Sequence, residues 1–232
     1  MLRAETMMYE PLVDFFKKRG LLVLREVTTH EGRADLVAAR IDWSAARLRQ
    51  RLGFTRGLTR TPLLRAWNAL PQQGTVTIDF LSEALAVSPG SARALVRELE
   101  GLGFVNRVPE GYKKRGTLPA VVTEVICCEA KLDDWKRGLS QAYGHRFYAD
   151  QSYLALANRI PRTLDLDLLD ERQVGLVSVA DIVSEERSAL PRCPPPSRAR
   201  SQIEERFWVE IVEPSLRIHA CKLTREVRRA TA

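Results

Sequence analysis

The stretch "AVVTEVICCEAK", residues Ala120 to Lys131, decides the fold because it is a long apolar run that closes on two charges. An apolar run of this kind predicts a buried β-strand. Successive strand residues point to opposite faces, so Glu129 and Lys131 share one side of the sheet. A buried carboxylate and a buried ammonium are each costly without a partner, and a divalent cation would supply one. The strand therefore indicates a charged site inside a sheet.

The composition describes a folded protein with an excess of positive charge. The chain has 232 residues, of which 45% are hydrophobic, so it can bury the core of one large domain or two small ones. A net charge of +7 favours a polyanionic partner, with nucleic acid first. No apolar run approaches the roughly 18 residues of a membrane helix, and the N-terminus lacks the apolar core of a signal peptide. We therefore expect no membrane partner and a cytoplasmic location.

The outer parts of the chain predict an α/β domain. "ETMMYEPLVDFFKKRG" has apolar residues at helical spacing, and "LLVLREVTT" and "RADLVAAR" read as two strands joined by the turn "HEG". After the strand that ends at Lys131, "LSQAYGHRFYAD" predicts a helix, and "QSYLALA" and "VGLVSVA" predict two more strands. This order indicates one central mixed sheet flanked by helices, formed by residues 1–42 and 120–185. Residues 186–232 form an extension of unclear role.

Residues 43–119 have a different pattern and read as a unit inserted between two strands. Helices in "TPLLRAWNALP", "TVTIDFLSEALAV" and "SARALVRELEGLGFV" precede a hairpin in "FVNRVPEGYKKRG". This order resembles a winged helix-turn-helix over residues 61–118. The resemblance implies that the third helix enters the major groove of DNA and that the wing touches the backbone. A winged helix that binds a protein partner is the alternative.

The residues of this unit that would touch DNA are polar or basic. On the third helix Arg93 and Arg97 lie four residues apart on one face, and Ser91 lies near the helix start. The linker before the helices is also basic, with six arginines from Arg40 to Arg60 against a single acid. A solvated surface is the alternative for any one of these residues. The expected wing contacts are Lys113, Lys114 and Arg115.

A strand next to the charged one carries a third charged residue, Asp35 in "GRADLVAA". An Asp on one strand followed by Glu-x-Lys on the next, here Glu129 to Lys131, resembles the PD-(D/E)xK nuclease superfamily. That superfamily has the restriction-endonuclease-like fold, whose core order of helix, three strands, helix and strand matches the outer parts of this chain. The residue before Asp35 is Ala34, where the name of the family has proline, a position at which its members vary.

The resemblance implies a metal site with a catalytic lysine beside it. Asp35, Glu129 and the backbone carbonyl of Ala130 would hold Mg²⁺, with Mn²⁺ as a substitute, because hard cations prefer oxygen ligands. The ion would polarise the phosphoryl oxygen and lower the pKa of a bound water. Lys131 would orient that water and offset the charge that develops on the phosphate.

Two flanking helices would complete the catalytic set. The opening helix would contribute an acid, with Glu10 as the first choice and Glu5 and Asp14 as alternatives. The helix after Glu-x-Lys carries Gln141, which resembles the glutamine motif of several branches of the superfamily. We expect His145, which lies four residues further along the same helical face, to be structural.

The expected function is that of a Mg²⁺-dependent endonuclease that hydrolyses phosphodiester bonds in double-stranded or branched DNA. One alternative is a non-catalytic DNA-binding protein on a nuclease-like scaffold. For Glu129 and Lys131 themselves, the alternative is a surface salt bridge on an exposed strand, worth about 0–1 kcal/mol. An RNA-processing nuclease is the other alternative. Cleavage of both strands would favour a homodimer, although no segment of the sequence indicates an interface.

Overall fold

A computed structural model describes residues 4–157, 160–180, 183–195 and 197–212. The chain divides into two units. The sheet unit comprises Met1–Asp42 and Val122–Ile203, and the helical unit comprises Trp43–Val121 and the chain from Glu204 onward. The last part of the expected extension, residues 213–232, lies outside the described residues. Within the described ranges, no helix is both long and apolar enough to cross a membrane.

Helices and strands are interspersed along the whole described chain. A 3₁₀ helix covers Glu5–Met8. The α-helices are α1 (Tyr9–Lys18), α2 (Trp43–Arg51), α3 (Thr61–Ala69), α4 (Ile78–Leu85), α5 (Pro89–Gly101), α6 (Trp135–His145), α7 (Leu166–Glu171) and α8 (198–212). The strands are β1 (Leu22–Thr29), β2 (Gly32–Ile41), β3 (Val105–Val108), β4 (Gly111–Lys114), β5 (Val122–Lys131), β6 (Gln151–Leu156), β7 (Gly175–Val179) and β8 (Val183–Arg187).

A six-stranded sheet with the order β1-β2-β5-β6-β7-β8 forms the centre of the sheet unit. Strand β2 is antiparallel to both of its neighbours, β1 and β5. Strands β5, β6 and β7 are parallel, and β8 returns antiparallel to β7. This arrangement confirms the predicted α/β class with one central mixed sheet flanked by helices. Strand β8 extends past residue 185, where we had expected the sheet domain to end.

Helices cover the two faces of this sheet because its central strands are apolar on both sides. On one face Leu12 and Phe16 of α1 pack with Leu36 of β2 and Cys128 of β5. Another core cluster joins α6 to β6 and β7 through Leu139, Ala142, Leu154 and Leu176. The alternation along β5 therefore directs Cys128 and Ala130 towards α1, and Glu129 and Lys131 towards α6.

Three helices and a hairpin enclose the core of the helical unit. Side chains cap the starts of α4 and α5: Thr77 accepts a hydrogen bond from the amide of Phe80, and Ser88 accepts one from the amide of Ser91. α4 ends at Ala86, whose φ of 52° is the left-handed conformation that closes many helices. Strands β3 and β4 pair antiparallel from Val105–Lys114 to Val108–Gly111. The core between these elements includes Leu81, Val96, Leu99 and Phe104.

Arg49 is buried, although we had counted it among the arginines of a basic linker. Its guanidinium donates to Glu205 Oε2 at 2.8 Å and lies 4.5 Å above the ring centroid of Trp208. The same carboxylate oxygen accepts the amide of Leu58 at 2.7 Å. Arg49 therefore stabilises the helical unit from within. The positive charge on the surface of this segment comes from other arginines, such as Arg47 and Arg51, which are exposed.

Candidate active site

Strands β2 and β5 part at the point where the charged residues begin. Their ladder runs from the pair Ile41–Val122 to the pair Leu36–Cys128, and β5 then continues beside β6 as far as Lys131. Just past the last pair, the amide of Ala130 donates a hydrogen bond to Asp35 Oδ2 at 2.9 Å. The Asp35 side chain thus accepts this amide in place of a backbone carbonyl of β2, and the bond fixes Asp35 beside the Glu-x-Lys segment.

The carboxylate of Asp35 is buried, with 9% of the residue exposed. Besides the Ala130 amide, it accepts a hydrogen bond from the hydroxyl of Tyr9 at 3.2 Å. Burial raises the pKa of Asp35 above its ordinary value, and the nearby charge of Glu129 adds to the rise, while the amide of Ala130 opposes it. The ionised form is therefore stabilised less than it would be in water, which is the condition in which a carboxylate gains most from a cation.

The ammonium of Lys131 lies among four oxygen atoms from different parts of the sheet unit. It donates to Glu129 Oε1 at 2.7 Å and to the carbonyl oxygen of Ala130 at 3.1 Å. Oδ2 of Asp35 and Oε2 of Glu5 each lie 3.8 Å from the same nitrogen. Burial alone would lower the pKa of Lys131, but the hydrogen bond and charge of Glu129 outweigh it, with help from Asp35 and Glu5, and raise that pKa.

Helix α6 makes room for the Lys131 side chain at Gly138. A Cβ added to Gly138 would lie 2.6 Å from Lys131 Cγ and 2.6 Å from Leu154 Cδ1. Real Cβ atoms do not approach other heavy atoms so closely, because that distance lies well inside their van der Waals contact. The absence of a side chain at Gly138 therefore lets the lysine stem pass between helix and sheet.

The second carboxylate oxygen of Glu129 faces α6 and meets a histidine. His145 Nε2 lies 3.2 Å from Glu129 Oε2, and the hydroxyl of Tyr148 lies 2.7 Å from His145 Nδ1. All three residues are buried. Burial alone would raise the pKa of Glu129, but the hydrogen bonds from His145 and Lys131 outweigh it and lower that pKa. We had expected His145 to be only structural, and the signal in the sequence was its position four residues after Gln141 on one helical face.

Glu10, our first choice for the acid of the opening helix, lies away from this cluster. Its exposed carboxylate forms an ion pair with Arg25 at 2.6 Å. Tyr9 and Val13 face the core from α1, so the position after Tyr9 is turned about 100° towards solvent. The 3₁₀ helix brings Glu5 to Lys131 instead, and Asp14 is exposed on α1. The acid near the site is therefore Glu5, one of the two alternatives to Glu10.

Gln141 lies on α6 between Gly138 and His145, the two residues of that helix that touch Lys131 and Glu129. Its Oε1 is buried, and no donor within the described part of the chain reaches it. A buried carbonyl oxygen without a donor is costly. Gln141 is therefore in a position to accept a hydrogen bond from a water or substrate at this side of the helix.

The residues expected to touch DNA differ in how available they are. Arg93 and Arg97 are exposed on α5, and Ser91 is exposed at its start, where Oγ lies 3.0 Å from Ser88 Oγ. In the hairpin Lys113 and Arg115 are exposed. Lys114, expected as a wing contact, is only 7% exposed, and its ammonium lies 4.5 Å above the ring centroid of Trp67. Burial lowers the pKa of Lys114, so this lysine packs on the core and does not present its charge to a phosphate.

The Lys131 cluster has the donor set that a hard divalent cation needs. Three carboxylates, those of Asp35, Glu129 and Glu5, surround one ammonium, so negative charge is in excess at this point. Mg²⁺ commonly takes one or two protein carboxylates and keeps several waters. No group of three His, Cys, Asp or Glu side chains in the described ranges is arranged to hold a metal ion by itself. The oxygen atoms of this cluster surround the Lys131 ammonium, which is itself a cation. Because they are carboxylate and carbonyl oxygens, they are ligands of the kind that Mg²⁺ and Mn²⁺ prefer.

Comparison with known proteins gives little to set beside this geometry. No protein-family model matches the sequence, and no curated protein matches it. A protein of unknown function from Silicibacter pomeroyi is similar in structure, with a TM-score of 0.41 and 8% sequence identity. The match covers 100% of this chain and 95% of that one.

Proposed function

We propose that this protein is a Mg²⁺-dependent deoxyribonuclease of the PD-(D/E)xK type, with a restriction-endonuclease-like core and an inserted winged helix-turn-helix that binds duplex DNA. One observation carries the proposal. Asp35, Glu129 and the carbonyl of Ala130 direct oxygen atoms at a single point in a sheet, and the ammonium of Lys131 lies there. This supports the motif on which the resemblance rests.

Each residue of the cluster has a definite task in this chemistry. Asp35, Glu129 and the Ala130 carbonyl would hold Mg²⁺, with Glu5 beside them. When bound, the ion supplies Lewis-acid polarisation of the phosphate and lowers the pKa of a coordinated water. Lys131 donates hydrogen bonds to the attacking water and offsets negative charge on the phosphate as it is attacked.

The surrounding residues keep this cluster in place before the substrate arrives. Tyr9 and the Ala130 amide hold the Asp35 carboxylate, and Gly138 leaves room for the Lys131 stem. Rigid placement lowers the entropic cost of reaching the reactive arrangement. Gln141, with its unused buried oxygen, is suited to accept a hydrogen bond from the attacking water.

The helical unit supports DNA as the substrate through its surface charge. Arg93 and Arg97 project from one exposed face of α5, and Ser88 caps the start of that helix. Lys113 and Arg115 add positive charge on the hairpin. Basic residues on a helix and on the adjacent hairpin are typical of winged helices that bind duplex DNA through phosphates and base edges.

A cleavage assay with matched variants tests the proposal. Supercoiled plasmid, linear duplex, a branched junction and structured RNA are incubated with the protein in Mg²⁺, in Mn²⁺ and in chelator. We expect metal-dependent DNA cleavage that is lost in Asp35→Ala and Lys131→Ala. Asp14→Ala and Lys17→Ala change exposed residues of α1 of the same types and should cleave normally.

Three other outcomes would contradict the proposal in different ways. Tight DNA binding without cleavage would identify a DNA-binding protein on a nuclease-like scaffold. Cleavage confined to RNA would identify an RNA-processing enzyme. Cleavage that survives both Asp35→Ala and Lys131→Ala would place the active site elsewhere in the chain.

A further inference from the structure

A chain of three buried side chains runs from the Lys131 cluster through α6. Glu129 Oε1 accepts the ammonium of Lys131 at 2.7 Å, while Oε2 lies 3.2 Å from His145 Nε2. On the other side of the imidazole, Nδ1 lies 2.7 Å from the hydroxyl of Tyr148. Each carboxylate oxygen of Glu129 therefore has its own donor, and only one of these donors belongs to the Asp35–Glu129–Lys131 motif.

The carboxylate of Glu129 determines which group donates in its bond with His145. A carboxylate can only accept, so Nε2 must carry the hydrogen that points at Glu129. Burial raises the pKa of the Tyr148 hydroxyl, which therefore keeps its proton and can donate it to an unprotonated Nδ1. His145 therefore donates from Nε2 to Glu129 Oε2, while the Tyr148 hydroxyl, which can donate or accept, is the partner of Nδ1.

The backbone holds this chain of side chains rigidly. His145 is the last residue of α6, and the amides of Tyr148 and Ala149 both donate to its carbonyl oxygen, at 3.1 and 2.9 Å. The rings of His145 and Tyr148 lie 5.7 Å apart, centroid to centroid. With both residues buried, the imidazole has little freedom to turn away from Glu129.

We propose that His145 is a positioning residue for the metal site: by donating from Nε2 to Glu129 Oε2, it fixes the rotation of the carboxylate so that Oε1 faces the cation position. Tyr148, whose hydroxyl lies 2.7 Å from Nδ1, holds the imidazole ring in the orientation that makes this donation. The inference rests on the proposed function, because it assumes that Glu129 binds a divalent ion. Outer-shell partners of metal ligands are commonly worth roughly 10- to 100-fold in metal affinity.

Direct Mn²⁺ binding to the chain of residues 1–232 without DNA tests this role, with free Mn²⁺ followed by electron paramagnetic resonance. We expect His145→Ala to weaken Mn²⁺ binding by roughly 10- to 100-fold. His145→Gln should recover most of the affinity because its amide can donate from a position close to Nε2. Tyr148→Phe should fall between these two variants. His30→Gln, which changes a histidine that contacts Gln202, is the matched control and should bind normally.

Two further readouts separate positioning from general stability. In the cleavage assay, His145→Ala should raise the Mn²⁺ concentration for half-maximal activity much more than it lowers the rate at saturating Mn²⁺. Nitrogen-15 NMR of wild-type His145 should show a proton on Nε2. This measurement does not depend on whether His145→Ala folds.

The outcomes distinguish this inference from the function on which it rests. Wild-type protein that binds no Mn²⁺ would overturn the metal-dependent nuclease and the role of His145 together. If wild type binds and Glu129→Gln does not, the metal site stands. Normal binding by His145→Ala, no recovery in His145→Gln, or an Nε2 that carries no proton would then overturn the positioning role alone.

Discussion

The amide of Ala130 donates a hydrogen bond to Asp35 Oδ2 across 2.9 Å, although 95 residues separate the two in the sequence. The bond forms just where β2 and β5 stop pairing, so the sheet itself brings the two residues together. Ala130 is buried on the face covered by α1, while Glu129 and Lys131 on either side of it contact α6. One backbone amide therefore fixes the distance between the two halves of the motif.

Asp35→Asn should make the protein more stable in the absence of metal and inactive in its presence. The folded-state pKa of Asp35 is raised by burial, so above that pKa its ionised form lowers the free energy of unfolding, and an amide removes this effect. We expect the free energy of unfolding of metal-free Asp35→Asn to exceed that of wild type by about 1 kcal/mol at pH 7, as is common where an active site trades stability for activity. Chemical denaturation with and without Mg²⁺ checks this prediction, and only wild type should gain stability from the ion.

The exposed Asp14→Asn provides the control for that change. It should leave stability, activity and the response to Mg²⁺ unaltered. A loss of stability in metal-free Asp35→Asn would mean that the charge of Asp35 is already well compensated by its neighbours.

Gly138→Ala should reduce both activity and stability, against the usual effect of this substitution. Alanine in place of glycine normally favours a helix by about 1 kcal/mol. Here the added Cβ would meet Lys131 Cγ and Leu154 Cδ1 at 2.6 Å, so Lys131 must move. We expect a loss of about 1–3 kcal/mol from overpacking, measured by denaturation, together with at least a tenfold loss of cleavage rate.

Gly144→Ala is the matched control on the same helix, because nothing lies within 4 Å of the added Cβ. It should leave activity unchanged and stabilise the protein slightly. If Gly138→Ala and Gly144→Ala had equal effects on stability and cleavage rate, the Lys131 side chain would be able to move away from the added Cβ without loss of function.

Glu5→Gln should weaken Mn²⁺ binding, whereas Glu10→Gln should not. The Glu5 carboxylate lies 3.8 Å from Lys131 Nζ, while that of Glu10 pairs with Arg25 on the surface. We expect roughly a tenfold loss for Glu5→Gln, because its side chain is partly exposed and stands beside the other oxygens. Titration with Mn²⁺ decides between the two residues, and a larger loss in Glu10→Gln would restore our first assignment.

Arg93→Ala together with Arg97→Ala should weaken DNA binding and flatten its dependence on salt. Both side chains are exposed on α5. Each phosphate contact that is lost should reduce the slope of log affinity against log salt by about one. Fluorescence anisotropy on a short duplex at several salt concentrations measures this slope.

In the hairpin, Lys113→Met should likewise reduce the slope, whereas Lys114→Met should not. The ammonium of Lys114 is buried above Trp67 and does not reach solvent as its neighbour does. The two lysines are adjacent and chemically identical, so each serves as the control for the other. Equal losses in the two variants would mean that Lys114 leaves the core when DNA binds.

Arg49→Met should destabilise the helical unit by about 3–5 kcal/mol, because it leaves the carboxylate of Glu205 buried without its cation. Adding Glu205→Gln should recover much of that loss, since the amide oxygen can still accept from Leu58. Denaturant unfolding of both single variants and the double variant measures the coupling. Additive losses would show that the two charges act independently.

Much of the sheet unit was predictable because its signals are local. The apolar run of β5 and the helical spacing of Leu12 and Phe16 report burial directly, and both lie in the core. The facing of Glu129 and Lys131 follows from strand alternation alone. Asp35 could be singled out as a charge in an apolar strand, and the family resemblance then placed it with Glu129 and Lys131.

The residues whose positions were predicted wrongly depend on the direction in which a helix or hairpin points its side chains, or on partners far along the chain. Glu10 was chosen over Glu5 among the acids of the opening helix, whereas the 3₁₀ turn before α1 places Glu5 beside Lys131 and Glu10 pairs with Arg25. Arg49 is buried because of Glu205, which lies 156 residues further along the chain. Lys114 points inward because the hairpin alternates, and Trp67 lies beneath it. Spacing within a short segment carries no information on any of these partners.

The pairing of Ile41 with Val122 makes the sheet unit contiguous in space at the point where it is interrupted in sequence. Neighbouring antiparallel strands can be joined by a tight turn of about two residues. A shortened protein in which such a turn replaces residues 43–121, and which stops at Ile203, should therefore still form the sheet. In the proposed enzyme, cleavage and DNA binding would then be separable by removing residues 43–121 and 204–232.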